Sequence, residues 1–286
     1  MHTTLISAQQ LDELFASGQP CMVFDCSFEL TKPDAGDQQY QQSHIPGAVR
    51  ADLNRDLSAS PTAAGAASGG RHPLPSRESF AIWLGSIGFA NKMQAVVYDR
   101  QGVNYCGRLW WMLKWVGHEN VAVLDGGLQA WLASGGAAEG GSVAAGVATS
   151  FTLATSRTVL CTTDQIVSNL GRPRQHLIDA RSAPRFRGEL EPLDPIAGHI
   201  PGALNRPFGQ NFDDHGKFKT AHQLKAEFAA LLAHRDPAAV VHHCGSGVSA
   251  VPNIIAMELA GLGRTALYAG SWSEWCSDPA RPAAQG

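Results

Sequence analysis

Several absences narrow the possibilities for this chain. None of its six cysteines stands in a C-x-x-C pair, so neither a zinc ribbon nor a thioredoxin-type dithiol is indicated. No apolar run approaches the roughly 18 residues a membrane-spanning helix needs. Lys and Arg never cluster into a block, and the formal net charge is only −3, so nothing marks a nucleic-acid or membrane partner. Met1 to Phe15 contain no Lys or Arg and include Asp12 and Glu13, unlike a secretory signal or a transit peptide. These absences predict a cytoplasmic chain with free thiols and no disulfides, and no ligand cluster points to a metal or an organic cofactor. The 286 residues are 44% hydrophobic and 16% charged, a globular balance with room for two domains.

The chain contains an internal repeat. Val23-Phe24-Asp25 matches Leu177-Ile178-Asp179, and His44-Ile45-Pro46-Gly47-Ala48 recurs as His199-Ile200-Pro201-Gly202-Ala203, each pair roughly 155 residues apart. Further on, Val96 to Arg100 matches Val240 to Cys244, and Gly126 to Trp131 matches Gly270 to Trp275, roughly 144 residues apart. The first half therefore carries about 11 extra residues, and Ser58 to Gly70 has the composition of an inserted surface loop. Ser134 to Thr155 is rich in Gly, Ala and Ser with almost no charge and reads as a linker. The expected organisation is a domain at 1–134, a linker at 135–157 and a domain at 158–286.

Each half alternates short apolar strands with amphipathic helical segments such as Glu78 to Leu84, Leu109 to Trp115 and Ala221 to Ala233. That alternation predicts an α/β fold with a central, mostly parallel sheet flanked by helices. Ligands in such sheets bind beyond the carboxyl ends of strands, and Cys244 lies just past one. It opens a glycine-spaced loop, Cys244-Gly245-Ser246-Gly247-Val248-Ser249, before an apolar helical segment. Backbone N–H groups and a helix N-terminus would make this loop an anion cradle and favour the thiolate. The matching position in the first half reads as Arg100, which makes that half inert; Arg100 either adds positive potential to a cleft or is solvated. Six of the seven tryptophans, at 110, 111, 115, 131, 272 and 275, read as core and interface packing.

Together these motifs resemble the two-domain rhodanese-type sulfurtransferases, over nearly the whole chain and in order. The resemblance rests on the paired HIPGA motifs, Trp110-Trp111, Leu124-Asp125-Gly126-Gly127, Arg185-Phe186-Arg187-Gly188, the Cys244 loop and Gly270 to Trp275. It implies two tandem rhodanese-like domains and transfer of sulfane sulfur through a Cys244 persulfide to a thiol, thioredoxin or cyanide, by an enzyme that is often a monomer. Family members acting on thiosulfate usually carry basic residues after the cysteine, and those acting on 3-mercaptopyruvate usually carry CGSGVT. The CGSGVS loop here resembles the mercaptopyruvate type, with thiosulfate as the alternative donor and a noncatalytic binding module as a further one.

The resemblance also implies site residues. Gly245, Gly247, Val248 and Ser249 would form the cradle and Arg185 would grip the donor's carboxylate. Ser246 would pass a proton in a relay with His44 and an aspartate, Asp34 or Asp37. His199, the twin of His44, and Arg187 read as structural. His242 and His243 could support the thiolate, though His243 could instead face the core. Two departures stand out. Leu193 follows Glu191-Pro192 where a second arginine is usual, so the clamp rests on Arg185 alone or on an arginine from elsewhere. Ala269 replaces an aspartate before Gly270-Ser271-Trp272. A phosphatase, which also places Cys at the head of such a loop, needs an arginine six residues on; Ala250 stands there, and no Arg or Lys occurs from Gly245 to Leu262.

Overall fold

The computed structural model describes residues 1–60, 65–144 and 146–286; part of the inserted loop read from the sequence, Pro61–Ala64, lies outside them. The chain divides into two compact units. The first comprises Met1–Ala59, Pro75–Arg157 and Asp214–Lys217, and the second Ser60–Leu74, Thr158–Asp213 and Phe218–Gly286. The boundaries thus differ from simple cuts along the chain. The segment read as a tolerated insertion belongs in large part to the second unit, and the linker segment packs with the first.

The first unit runs β1 (Leu5–Ile6), α1 (Ala8–Ala16), β2 (Cys21–Asp25), α2 (Ala35–Gln42), β3 (Val49–Arg50), α3 (Arg77–Ser86), β4 (Gln94–Tyr98), α4 (Cys106–Trp115), β5 (Val121–Leu124) and α5 (Gly127–Ala133). The second runs β6 (Val159–Cys161), α6 (Thr163–Asn169), β7 (His176–Asp179), α7 (Ala183–Arg187), β8 (Leu204–Asn205), α8 (Ala221–Leu232), β9 (Val240–His243), α9 (Val251–Leu259), β10 (Ala266–Tyr268) and α10 (Ser271–Trp275). Each unit has a five-stranded sheet, in the orders β1-β5-β4-β2-β3 and β6-β10-β9-β7-β8, and every strand pair is parallel. The two orders are the same order, so the sequence repeat is a repeat of topology.

The predicted elements have local causes. Ser7, Thr162 and Thr220 each form a capping box with a glutamine three residues on, fixing the starts of α1, α6 and α8; such caps typically contribute about 1 kcal/mol. The centre of each sheet is buried on both faces, which is why β4 and β9 are continuous apolar or buried runs rather than alternating ones. All six tryptophans singled out in the sequence are buried, the most exposed at 6%. Trp272 anchors its unit by donating Nε1–H to the Ile196 carbonyl and by lying under the Arg181 guanidinium.

The sheet registers correct one pairing. Asp25 pairs with Tyr98 in β4, and Asp179 pairs with His243 in β9. Tyr98 is therefore the twin of His243, and Asp99, not Arg100, is the twin of Cys244. A second contact agrees: the Asp99 carbonyl accepts Leu128 N–H, as the Cys244 carbonyl accepts Trp272 N–H. The sequence match had slipped by one residue because valine pairs can be aligned in either register. Arg100 is the twin of Gly245. It turns into its own unit, bonding to Asp25, Ser27 and the carbonyls of Gln39 and Ser43, so it is neither a solvated arginine nor a free source of positive potential.

Candidate active site

Cys244 closes β9 and is only 1% exposed. Its N–H donates to Ser271 Oγ at 3.1 Å, and the Ser271 hydroxyl donates on to the Tyr268 carbonyl. Ser271 holds φ at 55°, a left-handed conformation that costs a residue with a Cβ about 1 kcal/mol or more. Its twin in the first unit is Gly127, with φ at 60°, where the same turn is free of that cost. The second unit places a serine there, and the hydroxyl fixes the Cys244 backbone.

The loop continues with its own constraints. Gly247 has φ of 72°, and a Cβ there would lie 2.7 Å from Ala269 Cα and closer still to its carbonyl; only glycine fits. Ala269, fully buried, leaves room for this approach. The amides of Gly245, Ser246, Val248, Ser249 and Ala250 donate to no protein acceptor among the described residues. The twin loop of the first unit shows what such amides do. There the Asp99 carboxylate accepts the N–H groups of Gln101, Val103, Tyr105 and Cys106 at 2.8–3.0 Å. The twins of the first three are Ser246, Val248 and Ala250. The same loop that closes on a carboxylate in one unit is left open around a thiol in the other.

Ser246 is 7% exposed and its Oγ lies 2.7 Å from Nδ1 of His72, itself 5% exposed. His72 was not singled out in the sequence, and it takes the place expected of His44. His44 is fully buried in the first unit, with Nδ1 on the Tyr40 carbonyl at 2.7 Å and its ring stacked on Tyr40. Nε2 of His44 lies 3.4 Å from Glu139. Its twin His199 does the same with the Phe186 carbonyl and ring. Both HIPGA histidines are therefore helix-to-turn braces. Asp34 is exposed at the N-terminus of α2 and its side chain makes no cap bond; Asp37 pairs with Arg50 and Arg55. Neither aspartate meets Ser246 or His72 in any recorded bond.

Arg185, on α7, donates Nε and Nη2 to Glu191 and Nη2 also to Asp194. Arg71 donates Nη1 to Asp194 Oδ1 at 2.7 Å and its backbone N–H to Ser273 Oγ. Both guanidinium groups border Gly245. Arg187 pairs at the surface with Glu189. Asp179 and Arg181, in the same unit as the loop, form a buried pair at 2.7 Å. His242 and His243 are both fully buried. Burial pushes His242 down to about 3 and also lowers His243, against the pull of Asp179; both are neutral near pH 7 and bring no positive charge to the thiol. No local pattern marks Arg71 and His72, which directly follow the Gly/Ala/Ser-rich stretch Ser58 to Gly70. The available signal is that the insertion Ser58 to Gly70, present in one half only, runs directly into Arg71-His72, a charge and a titratable ring.

The rhodanese-like domain family matches this chain twice, at residues 7–134 and 162–278. A Pseudomonas aeruginosa protein named a probable 3-mercaptopyruvate sulfurtransferase is 45% identical over 285 residues, covering 99% of this chain and 98% of its own. A Mycobacterium tuberculosis protein provisionally named a thiosulfate sulfurtransferase is 39% identical over 284 residues, covering 99% and 97%. Among solved structures, the 3-mercaptopyruvate sulfurtransferase from Leishmania major superposes with a TM-score of 0.78 at 29% identity, over 95% of this chain and 73% of that one. With two matched domains, one topology used twice and a cysteine heading the loop of the second, the chain belongs to the rhodanese family of two-domain sulfurtransferases.

Proposed function

We propose that this chain moves sulfur from 3-mercaptopyruvate to a thiol or cyanide acceptor through a persulfide on Cys244. The observation that carries the reading is the pair of twin loops, one closed on the Asp99 carboxylate and the other, headed by Cys244, leaving the equivalent amides without a protein acceptor among the described residues. The Cys244 thiolate attacks the sulfur of the donor, bound in its thiolate form, and forms the S–S bond. The donor's C–S bond breaks, and its electron pair leaves on the enolate of pyruvate. Ser246 Oγ–H protonates that enolate and recovers a proton from His72, which is recharged from solvent. The persulfide left behind is an anion like the thiolate, so the N–H groups of Ser246, Val248 and Ala250 hold both states; one preorganised donor of this kind can be worth roughly 3–4 kcal/mol. An acceptor thiolate then takes the outer sulfur and restores the Cys244 thiolate, a ping-pong cycle. A small protein thiol such as thioredoxin fits the acceptor role, and a monomeric cytoplasmic enzyme is the simplest setting. Among the described residues, no helix is long and apolar enough to cross a membrane.

Thiosulfate is the second reading, favoured by the name of the mycobacterial relative. Against it stands the loop itself, which has no Lys or Arg after Cys244. Incubation with 3-mercaptopyruvate followed by intact-mass measurement should add one sulfur to the chain, and Cys244→Ser should abolish this. Cys106→Ser should retain transfer, since burial pushes the Cys106 thiol well up and keeps it inert. In steady-state kinetics kcat/KM should be higher for 3-mercaptopyruvate; a higher value for thiosulfate overturns the donor assignment.

A further inference from the structure

We infer that Arg71 is the second arginine of the carboxylate-binding pair and, with Arg185, sets the specificity for an α-keto acid donor. The inference rests on the 3-mercaptopyruvate reading above and names the residue that the sequence leaves missing at Leu193. Arg71 and Arg185 approach Gly245 together. A Cβ on Gly245 would lie 3.1 Å from Arg71 Nη2 and 3.6 Å from Arg185 Nη1. Gly245 follows the nucleophile directly, about 3.8 Å from it between Cα atoms. The donor's carboxylate is separated from its sulfur by only two carbons, so its site must lie about this close to Cys244.

Asp194 holds the two guanidinium groups side by side, with Oδ1 on Arg71 and Oδ2 on Arg185. Glu191 fixes the other edge of Arg185 at 2.6 Å. Both carboxylates are 3% exposed. This arrangement uses Nη1 of Arg71 and Nε and Nη2 of Arg185. The donors left over are the ones at Gly245. Arg71 Nε is buried with no acceptor, and Arg71 Nη2 and Arg185 Nη1 meet no acceptor among the described residues. Buried donors without partners are costly, and a planar carboxylate is the acceptor that fits two guanidinium forks.

The twin unit supports the assignment. At the twin of Gly245 it carries Arg100, which binds Asp25 of its own unit. In the second unit Asp179 is satisfied by Arg181, position 245 has no side chain, and Arg71 and Arg185 fill the space from other segments. A side chain at position 245 would have to share this space with the Arg71 guanidinium, since its Cβ alone would lie 3.1 Å from Nη2.

The test compares Arg71→Gln, Arg71→Lys and Arg185→Gln with the parent chain. KM for 3-mercaptopyruvate is measured, along with the ratio of Cys244 alkylation rates by iodoacetate and iodoacetamide. These reagents share a leaving group and differ in a carboxylate. Arg71→Gln should raise KM by about 10- to 100-fold with a much smaller fall in kcat, and should lower the iodoacetate-to-iodoacetamide ratio several-fold. Arg71→Lys should fall between, and it carries the test if the glutamine variant does not fold. A KM and a ratio unchanged in the Arg71 variants, while Arg185→Gln shifts both, would reduce Arg71 to a tether for Asp194 and overturn the inference. The alkylation ratio does not depend on the sulfur donor. Failure of 3-mercaptopyruvate to load Cys244 would therefore sink the donor reading separately.

Discussion

Ser246 and the HIPGA histidines show how chemistry divides between residues of the same type. His44 and His199 are equally near a Pro-Gly turn in sequence, and both are tied to a carbonyl and an aromatic ring. His72 is the ring that meets Ser246. His72→Gln should therefore lower kcat for 3-mercaptopyruvate by about 10- to 100-fold, the usual scale of a general acid–base contribution, with little loss of melting temperature. His44→Gln should do the reverse, lowering thermal stability while leaving kcat/KM of the folded fraction nearly intact. Measuring kcat and melting temperature on both variants checks the assignment; a large kcat loss confined to His44→Gln would restore the sequence-based relay.

The strand–loop–helix element following β4 and β9 is used twice with opposite outcomes. After β4 it is a closed structural knot: Asp99, 2% exposed, satisfies four amides. Burial pushes its carboxyl up, and the four N–H donors oppose that. After β9 the knot is opened by replacing the carboxylate with a thiol. Asp99→Ala should leave several amides unsatisfied and destabilise the first unit by at least about 3 kcal/mol, readable as a lower denaturation midpoint for that unit. The rate of persulfide formation at Cys244 should be unaffected under conditions where the chain stays folded. The element was legible in outline from the sequence: Val240 to Leu259 reads as strand, loop and helix. Which residue of the first half faces Cys244 was not, because Val96-Val97 and Val240-Val241 align equally well one residue apart, and only ladder pairing sets the register.

For the molecule as a whole, the buried histidines make stability depend on pH. His242 binds a proton near 6.5 when unfolded but only near 3 when folded. A depressed folded value means that the contribution is fully present above about pH 6.5 and is lost progressively as pH falls toward 3. Between pH 6.5 and 5 the loss from His242 amounts to about 2 kcal/mol, and His243, also lowered, acts in the same direction. Urea denaturation of the second unit at pH 7.5, 6 and 5 should show this decline, and His242→Gln should flatten it; an unchanged slope in the variant would assign the decline to other groups.

By itself the sequence determined the α/β class, the duplication, the candidate cysteine and the absence of a cation in its loop. These are properties of local composition, apolar periodicity and spacing, which survive without knowledge of any long-range contact. The partners of that cysteine's loop were decided by tertiary structure. Arg71 and His72 come from a stretch more than 170 residues away from Ser246, in a loop whose composition marks it as dispensable. Asp99 acquires its role from strand register, and Arg100 from an ion pair with Asp25. In each case the deciding quantity is a distance across the fold between residues remote in the chain, and no local pattern encodes that distance.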